Sequence, residues 1–174
     1  MSVEQTTEHN DHYDPGANCV RLSPSFYNGR SLAAISVAAH EVGHAIQFVR
    51  QEDISKIRSI YVPRALLLKR IGVGVLSIMP FAAILIRAPQ AMILLALVGV
   101  VIMAIGAALY LVVLPEEWDA SFNKALPILK EGNYIEPEQE AAVRQVLGAA
   151  AFTYFASALA DILSIWRWLA ILKR

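Results

Sequence analysis

The run Ala38-Ala39-His40-Glu41-Val42-Gly43-His44-Ala45 reads H-E-x-x-H within a stretch of good helix formers. On an α-helix, residues four apart lie one above the other, so His40 and His44 present two imidazoles from one face. Neutral imidazole nitrogens at that spacing can hold one Zn²⁺ at about 2.0–2.1 Å. Glu41 flanks the same place without being a ligand. There it can take a proton from a water whose pKa the metal lowers to about 7. Solvated polar groups on a helix face are the ordinary alternative. Against it, the chain has only four His, and two fall at ligand spacing around a Glu. Gly43 and the alanines at 38, 39 and 45 leave room for other backbone to come close. The pattern spells metal-assisted hydrolysis, and it needs a third ligand.

At 174 residues the chain is expected to form one domain. Its 56% hydrophobic residues, 17% charged residues and mean hydropathy of +0.48 are well to the apolar side of a soluble domain. The formal net charge is zero and no basic run occurs, so nothing points to nucleic acid. Cys19 is the single cysteine, which excludes an intrachain disulfide and a cysteine-based zinc site. The first thirty residues are polar and lack an apolar core flanked by basic residues. No signal peptide is expected, and membrane insertion is assigned to internal segments.

Residues 1–30 read as a polar strand and turn region. Asp11-His12-Tyr13-Asp14-Pro15-Gly16 predicts a turn, and Asn18 to Ser23 alternates as a short strand whose partner is Ser2 to Thr6. A free edge on the Asn18–Ser23 strand would accept an extended peptide. In residues 31–70, Ser31 is the expected N-cap of a helix from Leu32 to about Arg50 that carries the metal motif. That helix is too alanine-rich, and too polar after Gln47, to be the first choice for a membrane span. Ile54 to Lys69 predicts a basic amphipathic connector, with Lys56, Arg58, Arg64, Lys69 and Arg70 suited to lipid headgroups.

Residues 71–114 hold two apolar runs. Ile71 to Ile86 is interrupted by Pro80, which neighbouring helices can accommodate in a membrane. Ala91 to Leu114 carries no charge and would be about 36 Å long as a helix, enough to cross a bilayer core of about 30 Å. Arg87-Ala88-Pro89-Gln90 predicts the tight turn of a transmembrane hairpin. Residues 115–146 are polar, with Pro137 suited to a first helical position. One helix is expected to run unbroken from Pro137 to Leu172. Its part from 147 to 172 reads as a third membrane helix with a polar stripe of Tyr154, Ser157, Asp161 and Ser164. A charge at mid-membrane costs about 2.5–3.5 kcal/mol, so Asp161 should face protein or water. Trp166 and Trp168 would lie toward the far interface. The fold class is therefore mostly α: a helical integral membrane protein with a zincin-like HExxH helix, a short N-terminal strand region and about three membrane-spanning helices. Basic residues around the metal helix outweigh Arg87, which favours a cytoplasmic site. Arg167, Lys173 and Arg174 count the other way if the last helix spans fully.

A catalytic zinc takes three protein ligands and keeps one open position. The acidic candidates are Glu116, Glu117, Asp119 and Asp161, and helical geometry does not choose among the first three. His40-Glu41-Val42-Gly43-His44, followed after two apolar runs by Glu117-Trp118-Asp119-Ala120-Ser121, resembles the YugP-type family of bacterial membrane zinc metallopeptidases. Asp11-His12-Tyr13-Asp14-Pro15, Arg21-Leu22-Ser23-Pro24-Ser25 and Asn28-Gly29-Arg30-Ser31-Leu32-Ala33-Ala34 fit the same pattern. That family is similar to the HtpX-like membrane proteases, in which the glutamate opening E-aromatic-x-A-D is the third ligand. The resemblance implies Glu117 as the ligand beside His40 and His44, with Zn²⁺ as the cofactor and Glu41 as the general base. It also implies a home in the bacterial inner membrane. Ser121 stands where the HtpX-like pattern ends in aspartate, so Asp119 becomes the nearest carboxylate for orienting a ligand histidine. Family members usually open with a further apolar segment that this chain does not carry.

The reading is a membrane-anchored zinc endopeptidase acting on peptide or membrane-protein substrates at a lipid bilayer, with no nucleic acid and no oligomer specified. His12, Arg144 and Tyr154 are chemically able to stabilise the oxyanion. Two rivals stand beside it. One is an intramembrane metalloprotease with Asp161 as third ligand. The other is a non-catalytic membrane scaffold with a structural metal, which would normally be closed by four ligands.

Overall fold

The computed structural model describes residues 1–85 and 88–172. The expected turn residue Arg87, the end residues Lys173 and Arg174, and the side chains of Trp166, Arg167 and Trp168 lie outside the described part. The described chain is mostly helical and forms two compact units, each discontinuous in sequence. The first comprises Met1–Ile57 and Leu114–Thr153, and the second comprises Arg58–Val113 and the chain from Tyr154 on.

The first unit opens with three strands, β1 (Ser2–Gln5), β2 (His12–Asp14) and β3 (Cys19–Leu22), in the order β1-β3-β2. β1 pairs parallel with β3 from Ser2↔Cys19 to Gln5↔Leu22, which supplies the partner expected for that strand. β2 pairs antiparallel, with Tyr13 opposite Val20. The stretch expected as a turn is thus partly a strand, because His-Tyr-Asp alternates and its middle residue is buried against Val20. The turn follows directly. Asp14 Oδ1 accepts from the backbone N–H groups of Gly16 (2.9 Å) and Ala17 (3.1 Å), an Asx turn. A second correction comes with it. β3 is the central strand, paired on both sides, so the free edge expected beside Val20 does not exist.

After a short helix α1 (Pro24–Tyr27), α2 runs from Leu32 to Val49. Its N-cap is Ser31, whose side chain accepts from the Ala34 N–H at 3.1 Å. α2 lies between two apolar clusters. Ala39 packs with Ala125, Leu126, Leu129, Val143 and Leu147, and Ala45 packs with Tyr13, Val20 and Leu22. The rest of the unit is the end of α4 (Pro89–Trp118), a π-helical stretch Asp119–Ala125, α5 (Leu126–Glu131) and α6 (Glu140–Ala151).

In the second unit, α3 (Ile57–Leu85) takes the basic segment and the first apolar run into one helix. The separate connector expected over Ile54–Lys69 is reduced to a 3₁₀ turn at Asp53–Lys56, since nothing after Ile57 breaks the helix. Two buried clusters hold this unit, one of Leu76, Met79, Met103 and Ile165, the other of Ala65, Tyr110 and Ala158. Large apolar side chains such as Ile78, Phe81, Ile93, Leu94 and Leu97 point outward. Asp161 on α7 (Thr153–Leu172) is buried, and Lys69 Nζ lies 2.6 Å from its Oδ1.

The helix expected to run unbroken from Pro137 to Leu172 stops at Phe152, which sits at φ −90°, ψ 7°. Gly148 weakens the preceding turn, and the Thr153 hydroxyl donates to the Ala149 carbonyl at 3.2 Å, competing with the backbone ladder. Among the described residues, Leu32–Val49 and Gln90–Glu131 are long and apolar enough to cross a membrane. Counting Pro137–Ala151 and Thr153–Ile165 as one broken span makes three. The uncharged part of the second of these ends at Leu114.

Candidate metal centre

The site is assembled from two helical segments of the first unit. α2 carries His40, Glu41 and His44 on its buried side, and the end of α4 carries Glu117. The two segments touch at backbone level. A Cβ on Gly43 would lie 2.5 Å from the Ala120 carbonyl oxygen, inside contact distance, so only glycine lets α2 approach the chain after Glu117 this closely.

His40 Nε2 and His44 Nε2 lie 3.2 Å apart, and Glu117 Oε2 is 3.2 Å from the first and 3.3 Å from the second. Tetrahedral ligands at about 2.05 Å from a zinc ion stand roughly 3.3 Å from one another. The three donor atoms therefore already have the spacing of three corners of a zinc site. Among the described residues these three form the one buried group of His, Cys, Asp or Glu able to hold a metal. Burial alone would raise the Glu117 pKa, but hydrogen bonding to both imidazoles reverses this and holds the carboxyl well below its usual range.

The outward-facing nitrogens of the two histidines are also engaged. His44 Nδ1 is 3.0 Å from Gln47 Oε1, and Gln47 Nε2 donates to the Glu116 carbonyl and to Asp119 Oδ2, both at 2.9 Å. Two acceptors on one side fix which end of the amide is oxygen, so His44 Nδ1 must carry the proton and Nε2 keeps its lone pair. His40 Nδ1 is 3.0 Å from Ser121 Oγ. Ser121 follows Glu117 by one helical turn and so reaches the same imidazole from the same face.

Glu41 is buried and is held by the strand region. Its Oε2 accepts from the Tyr13 backbone N–H at 2.9 Å. Asp11 Oδ1 accepts from the Ser23 N–H (2.7 Å) and hydroxyl (2.8 Å), and Asp14 pairs with Arg21 at 3.2 Å. The Asp-His-Tyr-Asp segment thus presents one main-chain donor to Glu41.

The other sequence candidates fall elsewhere. Glu116 contributes its carbonyl to Gln47. Asp119 reaches His44 only through Gln47, and it also accepts from Lys124 and Asn123. Its expected direct contact with a ligand histidine is replaced by Ser121 and Gln47. Asp161 belongs to the second unit and pairs with Lys69. Arg144 is occupied by Glu140 at 2.8 Å, and His12 Nδ1 is 2.9 Å from the Asn10 carbonyl. Tyr154 belongs to the second unit, where its ring stacks on Tyr110 with centroids 6.0 Å apart. Sequence reasoning passed over Gln47, although it stands three residues after His44, a spacing that puts both on one helix face.

The chain matches a protein-family model described as "Putative neutral zinc metallopeptidase" over residues 1–173. It is 37% identical over 163 residues to a Bacillus subtilis (strain 168) protein named "Putative membrane protease YugP". That match covers 92% of this chain and 68% of the relative. No solved structure matches.

Proposed function

The chain belongs to the neutral zinc metallopeptidase family, and from that premise we propose that it is a membrane-anchored zinc endopeptidase with His40, His44 and Glu117 as ligands. The carrying observation is the triangle of His40 Nε2, His44 Nε2 and Glu117 Oε2, with sides of 3.2–3.3 Å. Glu41 sits beside it as an ionisable group outside that triangle. Zinc bound there supplies a Lewis acid that activates a water and polarises the scissile carbonyl.

Glu41 takes one proton from the attacking water as the new C–O bond forms. It then delivers that proton to the amide nitrogen as the C–N bond breaks, leaving one acid and one amine. The Tyr13 N–H holds one carboxylate oxygen at 2.9 Å, which leaves the other to face the water. Gln47 and Ser121 keep the imidazoles turned so that their Nε2 atoms meet Glu117.

The uncharged run from Ala91 to Leu114 provides the anchor, and the basic residues around the metal helix favour a cytoplasmic site. α2 is apolar enough to span a bilayer. Its packing between two clusters of the first unit supports a role as that unit's core instead. The pairing of Asp161 with Lys69 speaks against Asp161 as the third ligand.

The test is cleavage of an unfolded protein by the purified chain in detergent, alongside metal analysis. Glu41→Gln should keep one zinc per chain and lose peptidase activity by about 10²-fold or more. Wild-type cleavage by that variant would rule out Glu41 as the base. Loss of zinc from it would mean that Glu41 is a ligand.

A further inference from the structure

Gln47 is fully buried, and all three of its side-chain hydrogen-bonding contacts go to the two segments that carry the zinc ligands. Its oxygen faces the protonated Nδ1 of His44, and its NH₂ group donates to the Glu116 carbonyl, next to Glu117, and to Asp119. We propose that Gln47 is a positioning residue: an amide clamp that sets the tautomer of His44 and fixes the Glu117 segment at bonding distance from it. The inference rests on His40, His44 and Glu117 being the ligands.

The residue type follows from the chemistry. The position needs an acceptor toward an imidazole N–H and two donors toward a carbonyl and a carboxylate, and an amide alone offers both. The carboxylate end of the clamp is itself anchored. Lys124, only 9% exposed, bridges Asp119 and Glu52 (2.9 Å to the latter). Glu52 in turn donates its backbone N–H to the Gln47 carbonyl at 3.0 Å. The loop after α2, the ligand helix and α2 itself are thus closed into one ring around Gln47.

Leucine at 47 keeps much of the volume and removes every hydrogen bond. Glutamate keeps the acceptor toward His44, loses both donors, and puts a second carboxylate against Asp119. Outer hydrogen bonds of this kind are worth about 10–100-fold in metal affinity. The experiment uses the whole chain in detergent. It measures zinc affinity by chelator competition and the visible spectrum of the cobalt-loaded protein, with circular dichroism to follow folding. Gln47→Leu should bind zinc about 10–100-fold more weakly, with an altered cobalt spectrum and unchanged helicity. Gln47→Glu should also weaken zinc, and adding Asp119→Asn should recover about tenfold, because an asparagine can donate to the new carboxylate.

Zinc affinity within about threefold of wild type in Gln47→Leu, with an unchanged cobalt spectrum, would overturn the clamp. If Gln47→Leu does not fold, Gln47→Glu decides. Wild-type affinity there, indifferent to Asp119→Asn, would overturn it equally. His44→Ala and Glu117→Ala separate the two levels. If they keep zinc, the ligand assignment fails. If they lose zinc while the Gln47 variants keep it, only the clamp fails.

Discussion

Gly43 is the residue on which the close approach of the two ligand-bearing segments turns. A methyl group there meets main-chain atoms of Ala120, at 2.5 Å from the oxygen and 3.1 Å from the carbonyl carbon and Cα, and main chain cannot swing aside as a side chain can. Gly43→Ala should therefore cost about 1–3 kcal/mol by overpacking and weaken zinc binding as well. Thermal unfolding in detergent and chelator competition would read the two effects. A variant as stable and as tightly loaded as wild type would show that the segments have slack. At this scale the sequence is legible wherever a relation lies within one helix. His40, Glu41 and His44 follow from spacing alone, and Gln47 was readable by the same rule. Glu117 was not, because four acids were available and only tertiary structure or a family resemblance selects the one that meets the histidines. Ser121 escaped for another reason: a hydroxyl can serve where the related pattern has a carboxylate.

Among the elements, the π-helical stretch Asp119–Ala125 and the turn after α2 are joined by Lys124, Asp119 and Glu52. Burial opposes ionisation of Asp119, but hydrogen bonds from Lys124, Gln47 and Asn123 outweigh it and hold the carboxyl below its ordinary 3.8. Burial likewise opposes the charge on Lys124, and its two carboxylate partners raise it above 10.5. The signs give a window. The carboxylate's contribution is present above about pH 4 and fades as the pH falls through its lowered folded value. The lysine's is present below about pH 10.5 and fades as the pH rises through its raised one. Lys124→Met should flatten the alkaline limb of the stability profile and, by freeing Asp119 from its strongest partner, move the acid limb to higher pH. Unfolding midpoints across the pH range would measure both, and unmoved limbs would exclude the pair as their source. The strand region was half legible. Alternation gave β3 and its partner β1, whereas β2 hid inside turn-forming residues because three residues are too few to display a period. The break at Phe152 was invisible because neither a proline nor a residue at positive φ marks it.

For the whole molecule, the division into two discontinuous units was not readable from composition, which distinguishes apolar from polar stretches but not which of them associate. The apolar excess itself was legible and accounts for the outward-facing side chains of the second unit. Within that unit the Lys69–Asp161 pair is asymmetric, its lysine 43% exposed and its aspartate 4%. Lys69→Leu strands a buried carboxylate, while Asp161→Leu leaves an ammonium that reaches water. Thermal stability in detergent should therefore fall more in Lys69→Leu than in Asp161→Leu, with the double leucine variant close to the latter. Equal losses in the two single variants would contradict this. A last consequence belongs to α4, which continues from the uncharged run through Pro115 to Glu117 and Trp118 without leaving the helix. During translation the histidine pair emerges first and its acidic companion only after the whole hydrophobic hairpin has left the ribosome. Biogenesis is thereby ordered: a nascent chain halted before Leu114 offers two imidazoles and no competent hydrolase, so proteolytic danger is deferred until the polypeptide has been delivered to its bilayer.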